Sequence, residues 1–290
     1  DAAPELARRP GLDPPRHDRH VGLGDLVAGV HEPVGELAVV GQQQQALGVG
    51  VEPPDVHQAH AFGVGDVPGV RLEVAPGEIV ALLGRNGAGR STCAKAIMGL
   101  LPASGSVSWR GQPLLGRPAH EIARLGLGYV PESRDVFPRL TVRQNLLLGE
   151  KQGAKQGANQ GAAGRAPWRM QDMFELFAPL KARERTEAGV LSGGEQQMLT
   201  LCRTLMGNPD LLLVDEPTEG LSPLMAQQVG RCLQMLQARG LGILLIEQKL
   251  SIALRIATRA LVMGQGRIVF EGTPQALRAD EKTWREWLQI

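Results

Sequence analysis

The chain has 290 residues, 43% of them hydrophobic, and a formal net charge of +1. That length holds one large domain or two small ones with a real core, and the charge balance gives no bulk pull toward nucleic acid or an acidic partner. No apolar run approaches the ~18 residues that cross a bilayer, and the opening residues carry no hydrophobic signal segment, so service to a membrane is expected from outside the lipid. The cysteines Cys93, Cys202 and Cys232 are far apart and odd in number. They read as reduced thiols filling the core of a cytosolic protein, not as a disulfide framework or a metal site.

Residues 1–69 stand apart from the rest. They hold eight of the 20 prolines and five of the six histidines, no lysine and one aromatic, Phe62. Proline and glycine cut short the apolar stretches "HVGLGDLVAGV" and "VGELAVV", and "QQQQ" at 42–45 is low-complexity. No period of 3.6 or 2 lasts. Two readings stay open: a disordered extension, or a mis-started or out-of-frame segment ahead of the true domain.

From Val70 the pattern is globular. "VRLEVAPGEIVALLG" (70–84) alternates, turns at Pro-Gly, and runs into a buried-type strand at Ile79–Leu83 that ends in glycine. "STCAKAIMGLL" then places apolar residues at helical spacing. "GSVSWRGQPL" (105–114) reads as a hairpin and "LGLGYVP" (125–131) as a strand. Residues 133–190 are mostly helical, interrupted by "KQGAKQGANQGAAG" (151–164), whose composition is that of a flexible surface insertion. Helical patterns at 195–207 and 224–239 accompany "DLLLVDEP" (210–217) and "LGILLIEQ" (241–248). These near-continuous apolar runs suit parallel strands covered on both faces. "ALVMGQGRIVFEG" (260–272) closes as a hairpin.

"GRNGAGRST" (84–92) lies between a strand and a helix. Backbone N–H groups of residues 85–91 there curl around a phosphate chain, and the helix N-terminus at Arg90–Ser91 adds a favourable dipole. Gly84, Gly87 and Gly89 let the backbone turn and approach. The spacing is G-x-x-x-x-G-K-[ST], with Arg90 in place of the lysine, and Ser91 offers a hydroxyl to Mg2+. The plain alternative is a glycine-rich turn. Asp215 ends a buried strand, where an unmatched carboxylate is costly. Glu216 sits next to it at the lip, so the two carboxylates suit one metal-holding and one base role. The plain alternative is a solvated acidic turn. "LSGGEQQ" (191–197) is either a second anion site at a helix start or an ordinary cap, Ser192 capping and Glu195 completing a capping box. Each motif alone leaves both readings open; their order and spacing together favour chemistry.

Together the motifs resemble those of the ATP-binding subunits of ABC transporters, from about Val70 to the end of the sequence. "GRNGAGRST" is similar to the Walker A loop, "LSGGEQQ" to the signature, "LLLVDEP" to the Walker B strand, "EGLSP" (219–223) to the D-loop and "IEQ" (246–248) to the switch. "YVPESRDVFPRLTVRQNLLLG" resembles the Q-loop and the segment after it, and with "VLSGGEQQML", "PTEGLSP" and "LLIEQK" resembles the subfamily serving branched-chain amino acid uptake. The resemblance implies an α/β fold, a P-loop NTPase of ABC type. Its mainly parallel sheet core would carry an antiparallel β subdomain and a helical subdomain at about 133–190, within a domain spanning 70–290.

It also implies roles. Gly84, Arg85, Asn86, Gly87, Ala88, Gly89, Arg90, Ser91 and Thr92 hold the ATP phosphates. Ser192, Gly193, Gly194 and Glu195 meet the γ-phosphate of a partner's ATP in trans, in a head-to-tail pair with a second ATP-binding subunit. Ser91 and Asp215 hold Mg2+, Asp215 through water. Glu216 polarises the attacking water, and Gln248 orients it or contacts the γ-phosphate. The Q-loop at Glu132 and the surface around Phe137 touch integral membrane permease subunits, fed by a solute-binding protein, at the cytoplasmic face of a bacterial inner membrane. Urea or amide uptake is the neighbouring reading, and action on nucleic acid is disfavoured by the near-zero charge and absence of basic patches.

Four positions depart from the general ABC pattern: Glu132 for the Q-loop glutamine, Ser222 for the D-loop aspartate, Gln248 for the switch histidine, and Arg90. Arginine keeps lysine's charge but is longer and planar. ATP binding is expected to survive, while a displaced γ-phosphate would slow turnover and make the chain a weakly hydrolysing regulatory partner. The aromatic that family members stack on adenine has no clear counterpart; Phe62 or His60 lies at the right distance.

Overall fold

The computed structural model describes residues 70–150 and 166–288 and the backbone of 62–64. The readings of the rest of residues 1–69, His60 included, of the Phe62 side chain, and of the insertion at 151–164 lie outside them. In chain order, strands β1 (Phe62–Val64), β2 (Leu72–Val74) and β3 (Ile79–Leu83) precede helix α1 (Arg90–Ile97) and a hairpin of β4 (Val107–Trp109) and β5 (Gln112–Pro113). Then come α2 (Ala119–Arg124), β6 (Leu127–Val130), α3 (Val142–Gly149), α4 (Met170–Leu176), α5 (Ala178–Ala182) and a 3-10 turn at Ala188–Val190. Helix α6 (Gly193–Leu205) leads to β7 (Leu211–Asp215), α7 (Pro223–Ala238), β8 (Gly242–Ile246) and α8 (Leu250–Ile256). The hairpin β9 (Arg259–Gly264) and β10 (Arg267–Gly272), α9 (Pro274–Ala279), α10 (Glu281–Thr283) and a π-helical turn at Trp284–Leu288 complete the order.

Burial on two sides explains the apolar runs. Successive side chains of a strand point to opposite faces. Along β3, Ile79, Ala81 and Leu83 enter one hydrophobic cluster, while Val80 and Leu82 enter the other. β7 divides the same way, Leu212 and Val214 against Leu211 and Leu213. Each fully buried leucine contributes about 1.5–3 kcal/mol, so these strands hold the centre of the molecule. The six-stranded sheet runs β10-β9-β3-β8-β7-β6, parallel throughout except for β10. The three cysteines are buried thiols; burial pushes those of Cys93 and Cys232 up to about 12.

A four-stranded antiparallel sheet, β2-β1-β4-β5, accompanies it. β1 falls inside the segment that composition set apart. Its backbone nevertheless pairs with both neighbours, Phe62 opposite Val74 on one side and Trp109 on the other. A three-residue strand is too short to show a period, which is why its pattern was silent. Helix α6 starts two residues ahead of its apolar period because Ser192 caps it, and it gives way before Asn208, which adopts φ 52°.

Parallel pairing brings the chemistry to one edge. Leu82 lies opposite Ile246 and Ile246 opposite Asp215. The carboxyl ends of β3, β8 and β7 therefore meet, the edge at which open α/β sheets bind ligands.

Candidate active site

β3 hands the chain to the phosphate loop at Gly84, whose φ is 152°. A Cβ there would run into the carbonyl oxygen of Met263 on β9, so only glycine lets the loop leave the sheet so tightly. The loop closes at Gly89, φ 100°, the N-cap of α1, and no side chain caps that helix. Its first N–H groups face the cleft with the positive end of the helix dipole. Asn86–Thr92, Glu132 and Glu216 line this cleft, about 290 Å³ in volume.

Arg90 is the first residue of α1 and is 5% exposed. Its Nη2 donates to Glu216 Oε1 at 2.9 Å and to Asn86 Oδ1 at 3.3 Å. Its buried Nη1 has no hydrogen-bond partner among the described residues. A buried charged donor left unpaired is costly, and a phosphate oxygen in the loop would satisfy it. One residue on, Ser91 Oγ donates to Asp215 Oδ1 at 2.9 Å, and Tyr129 donates its hydroxyl to Asp215 Oδ2 at 3.1 Å. Burial, then the charge of Asp215, pushes the Tyr129 phenol well above its ordinary range, so it stays a donor. Among the described residues no group of three His, Cys, Asp or Glu could hold an ion alone. Ser91 and Asp215 supply two hard oxygens, which fits Mg2+, an ion commonly held by one or two protein oxygens, substrate phosphates and water.

Glu216 adopts φ 41°, a conformation held by its surroundings: its N–H donates to the Ile246 carbonyl at 2.9 Å. Burial pushes its carboxyl above the ordinary range. Arg90 pulls it back, and Glu132, Glu247 and Asp215 push it further up. A carboxylate raised toward neutrality is a better proton acceptor than a free one. Gln248 lies just past β8 and lines a second cleft, about 230 Å³, with Gly84, Arg85, Asn86, Leu250 and Leu288. Glu132 is exposed and shares the first cleft with Glu216.

Ser192–Glu195 line neither cleft. Ser192 Oγ donates to Glu195 Oε2 at 2.8 Å, its N–H donates to the same oxygen at 2.9 Å, and the Glu195 N–H returns a bond at 3.4 Å. Both readings of that stretch therefore rest on one geometry, a satisfied capping box at a glycine-bearing helix start. Ser222 caps α7, its Oγ accepting from the Met225 N–H, with Pro223 at the first helical position. Phe137 is exposed, yet buried Asn145 fixes its backbone from both sides: the Phe137 N–H donates to Oδ1 at 2.9 Å, and Nδ2 donates to the Phe137 carbonyl at 3.1 Å.

Five residues escaped the motif reading. Tyr129 is the chain's one tyrosine, and its place near the end of the strand "LGLGYVP" was the available signal. Glu247 is 1% exposed; it accepts from the Thr218 hydroxyl at 3.0 Å and the Lys249 N–H at 3.1 Å. Lys249 Nζ donates to the Thr218 carbonyl at 2.8 Å. Arg134 donates to the Glu219 carbonyl at 2.9 Å. No local pattern marks these partners.

Residues 67–219 match the family model described as ABC transporter. The high-affinity branched-chain amino acid transport ATP-binding protein BraG of Pseudomonas aeruginosa is 42% identical over 214 residues, 73% of this chain and 88% of that protein. The probable branched-chain amino acid transport ATP-binding protein LivF of Archaeoglobus fulgidus is 35% identical over 73% of this chain and 88% of its own length. A Nod factor export ATP-binding protein I of Burkholderia thailandensis is 38% identical, over 74% of this chain and 68% of its own. Among solved structures, the ADP conformation of an ATP-binding cassette of an ABC transporter superposes with a TM-score of 0.64 at 25% identity, covering 78% of this chain and 97% of that one. The family match spans more than half of the chain and the relatives cover most of it, so the chain belongs to the ABC transporters, as an ATP-binding ATPase subunit resembling those of branched-chain amino acid transport.

Proposed function

We propose that the chain binds and hydrolyses ATP to drive import of branched-chain amino acids, at the cytoplasmic face of a bacterial inner membrane. One observation carries the reading: Ser91 meets Asp215 and Arg90 meets Glu216, each at 2.9 Å, at the mouth of one glycine loop. The uncapped N–H groups of α1 and the open Nη1 of Arg90 bind the phosphates. Ser91 and Asp215 would hold Mg2+, which when bound neutralises charge on the phosphate oxygens. Glu216 polarises the attacking water, and Gln248 hydrogen-bonds it without readily taking its proton. Catalysis here is positioning and charge stabilisation.

In this reading a second ATP-binding subunit packs head to tail and offers its ATP to Ser192, Gly193, Gly194 and Glu195. Ser222 in the D-loop joins that contact. The exposed Phe137, with the exposed Leu147 and Leu148 of α3, suits contact with permease subunits, and a solute-binding protein acts through them. No described helix is long and apolar enough to cross a membrane. The ATPase domain is placed at 70–290, its helical subdomain at about 133–190, with β1 added to the antiparallel sheet from the segment before. The names and identities of BraG and LivF support the solute class.

Glu216→Gln tests the assignment. Turnover is expected to fall at least ~100-fold while ATP stays bound and amino acid import stops; turnover at the wild-type rate sinks it. A second reading, a binding subunit with weak hydrolysis, is supported by the same Arg90–Glu216 ion pair, which ties the proton acceptor to the phosphate cation. Arg90→Lys separates the two. Equal rates favour an active arginine site. A gain of roughly tenfold or more at little-changed ATP affinity favours the binding role.

A further inference from the structure

Glu247 reaches Glu216 only through its charge, its own hydrogen bonds running elsewhere, yet no carboxylate in the described chain is more deeply buried. A carboxylate so placed is costly unless its oxygens are bonded. Its bonds run to two places at once: the Thr218 hydroxyl on one oxygen, and the Lys249 N–H on the other. The Gln248 N–H faces it as well. Lys249 completes the clamp, its Nζ on the Thr218 carbonyl. The switch at 246–248, with Lys249 after it, and the approach to the D-loop at Thr218 are thereby joined by two side-chain bonds, and the Lys249 N–H fixes the carboxylate between them.

The chain of contacts continues. The next carbonyl, Glu219, accepts from Arg134 Nη2 at 2.9 Å. Nη1 of that same guanidinium occupies the space a Cβ on Gly193 would need, and Nη2 lies 3.1 Å from the Cβ position of Gly220. Arg134 itself adopts φ 64°, a strained choice for a residue other than glycine, kept only where surroundings over-determine it. Its carbonyl accepts the hydroxyl of Thr200 on α6. The helix that begins within the signature is thus packed against this guanidinium at its first residue and hydrogen-bonded to the Arg134 backbone two turns on.

We propose that Glu247 and Arg134 are positioning residues of a side-chain relay that sets the signature start at Gly193 according to the state of the switch at Gln248, so that one nucleotide site reports to the other. Neither residue touches the reacting atoms; each acts through what it holds. The inference rests on the head-to-tail reading proposed above, and its test keeps the two separable.

In the assembled transporter, Glu216→Gln in this chain silences its own site and leaves turnover at the site that this chain's signature completes. On that background Ser192→Arg is the control for the head-to-tail arrangement and must abolish the remaining turnover. Arg134→Ala and Glu247→Gln are expected to lower kcat roughly tenfold with KM for ATP within about twofold. Arg134→Lys should restore part of the loss, and the double variant should be no slower than the slower single one. Arg134 is half-buried on a loop, so its loss reports on the relay even where Glu247→Gln disturbs folding. If Glu216→Gln stops both sites, the same variants are read by the ATP that the trapped pair retains. Should Ser192→Arg leave turnover and retention intact, the head-to-tail reading falls. Should it abolish them while Arg134→Ala changes neither, the relay alone is overturned.

Discussion

Two helices of this molecule begin on glycine-bearing turns, and they begin in opposite ways. α1 has Gly89 as its N-cap, at φ 100°, no side-chain cap, no acid in its first turn and a buried cation as its first residue. α6 has Ser192 as its N-cap in an extended conformation, a complete capping box and Glu195 in its first turn. The first start leaves donors and positive charge for a ligand. The second satisfies its donors internally and sets a carboxylate against its own dipole. An anion gains fully at α1. At α6 it gains only if the Ser192 hydroxyl leaves Glu195, so by itself this helix start is the weaker place for an anion.

Glycine substitutions give the largest test of this contrast. Gly84→Ala would place a Cβ on the backbone oxygen of Met263, at a φ that side chains avoid, and β9 is a buried strand that cannot yield. The expected cost is about 3 kcal/mol, with ATP binding lost. Gly194→Ala meets the flexible Met225 side chain, its Cε at 3.0 Å, and should cost no more than ~1 kcal/mol with ATP affinity of the isolated chain unchanged. Urea unfolding and nucleotide titration on both variants check this. Equal losses would erase the distinction between a tightly built loop and a permissive signature.

Ser192→Ala is the next step down. It removes a cap worth about 1 kcal/mol, which thermal unfolding reads as a modest fall in Tm. ATP affinity of the isolated chain should not move, because Ser192 lines neither cleft of the phosphate loop. A parallel loss of affinity would make α6 part of the chain's own site and break the comparison.

The same contrast governs what could be read from residues alone. β3, β7 and β8 were legible because burial on two faces writes itself as continuous apolar letters, and the loop because strand, glycines and helix are contiguous. The partners of those letters were not. Arg90 and Glu216 are 126 positions apart, and Tyr129 and Asp215 are 86 apart; only the parallel register of the sheet brings them together. Glu247 misleads in another way. In "LLIEQK" it is one polar letter at the end of an apolar run, and no letter near it shows that the fold seals it beneath Thr218. Arg90 was visible as an oddity, but its choice of Glu216 over open cleft is a product of the fold.

The smallest expected effect is electrostatic and belongs to α6 alone. Slight burial raises the Glu195 carboxyl, but the Ser192 hydroxyl, the Ser192 N–H and the nearby Arg183 outweigh it and hold the group below its ordinary range. Arg183 Nε lies 2.9 Å from Glu195 Oε1. A carboxylate lowered in the folded state binds its proton more readily when unfolded. Its contribution is therefore present above the unfolded value, about 4.3, and is lost as pH falls through the folded one. Glu195 is half-buried but its ion-pair partner Arg183 is exposed, which limits the contribution to a few tenths of a kcal/mol. Unfolding free energies of the native chain and of Glu195→Gln should differ at pH 7, converge as the pH drops below about 4, and approach one another in high salt. Glu216 and Glu247, both raised by burial, act in the opposite sense: their desolvation cost is relieved as pH falls through their folded values. They are unchanged in Glu195→Gln, so their effect cancels in the difference. A gap that widened toward low pH would mean that Glu195 is not held by the cap, and that α6 opens its first turn to a ligand as freely as α1 does.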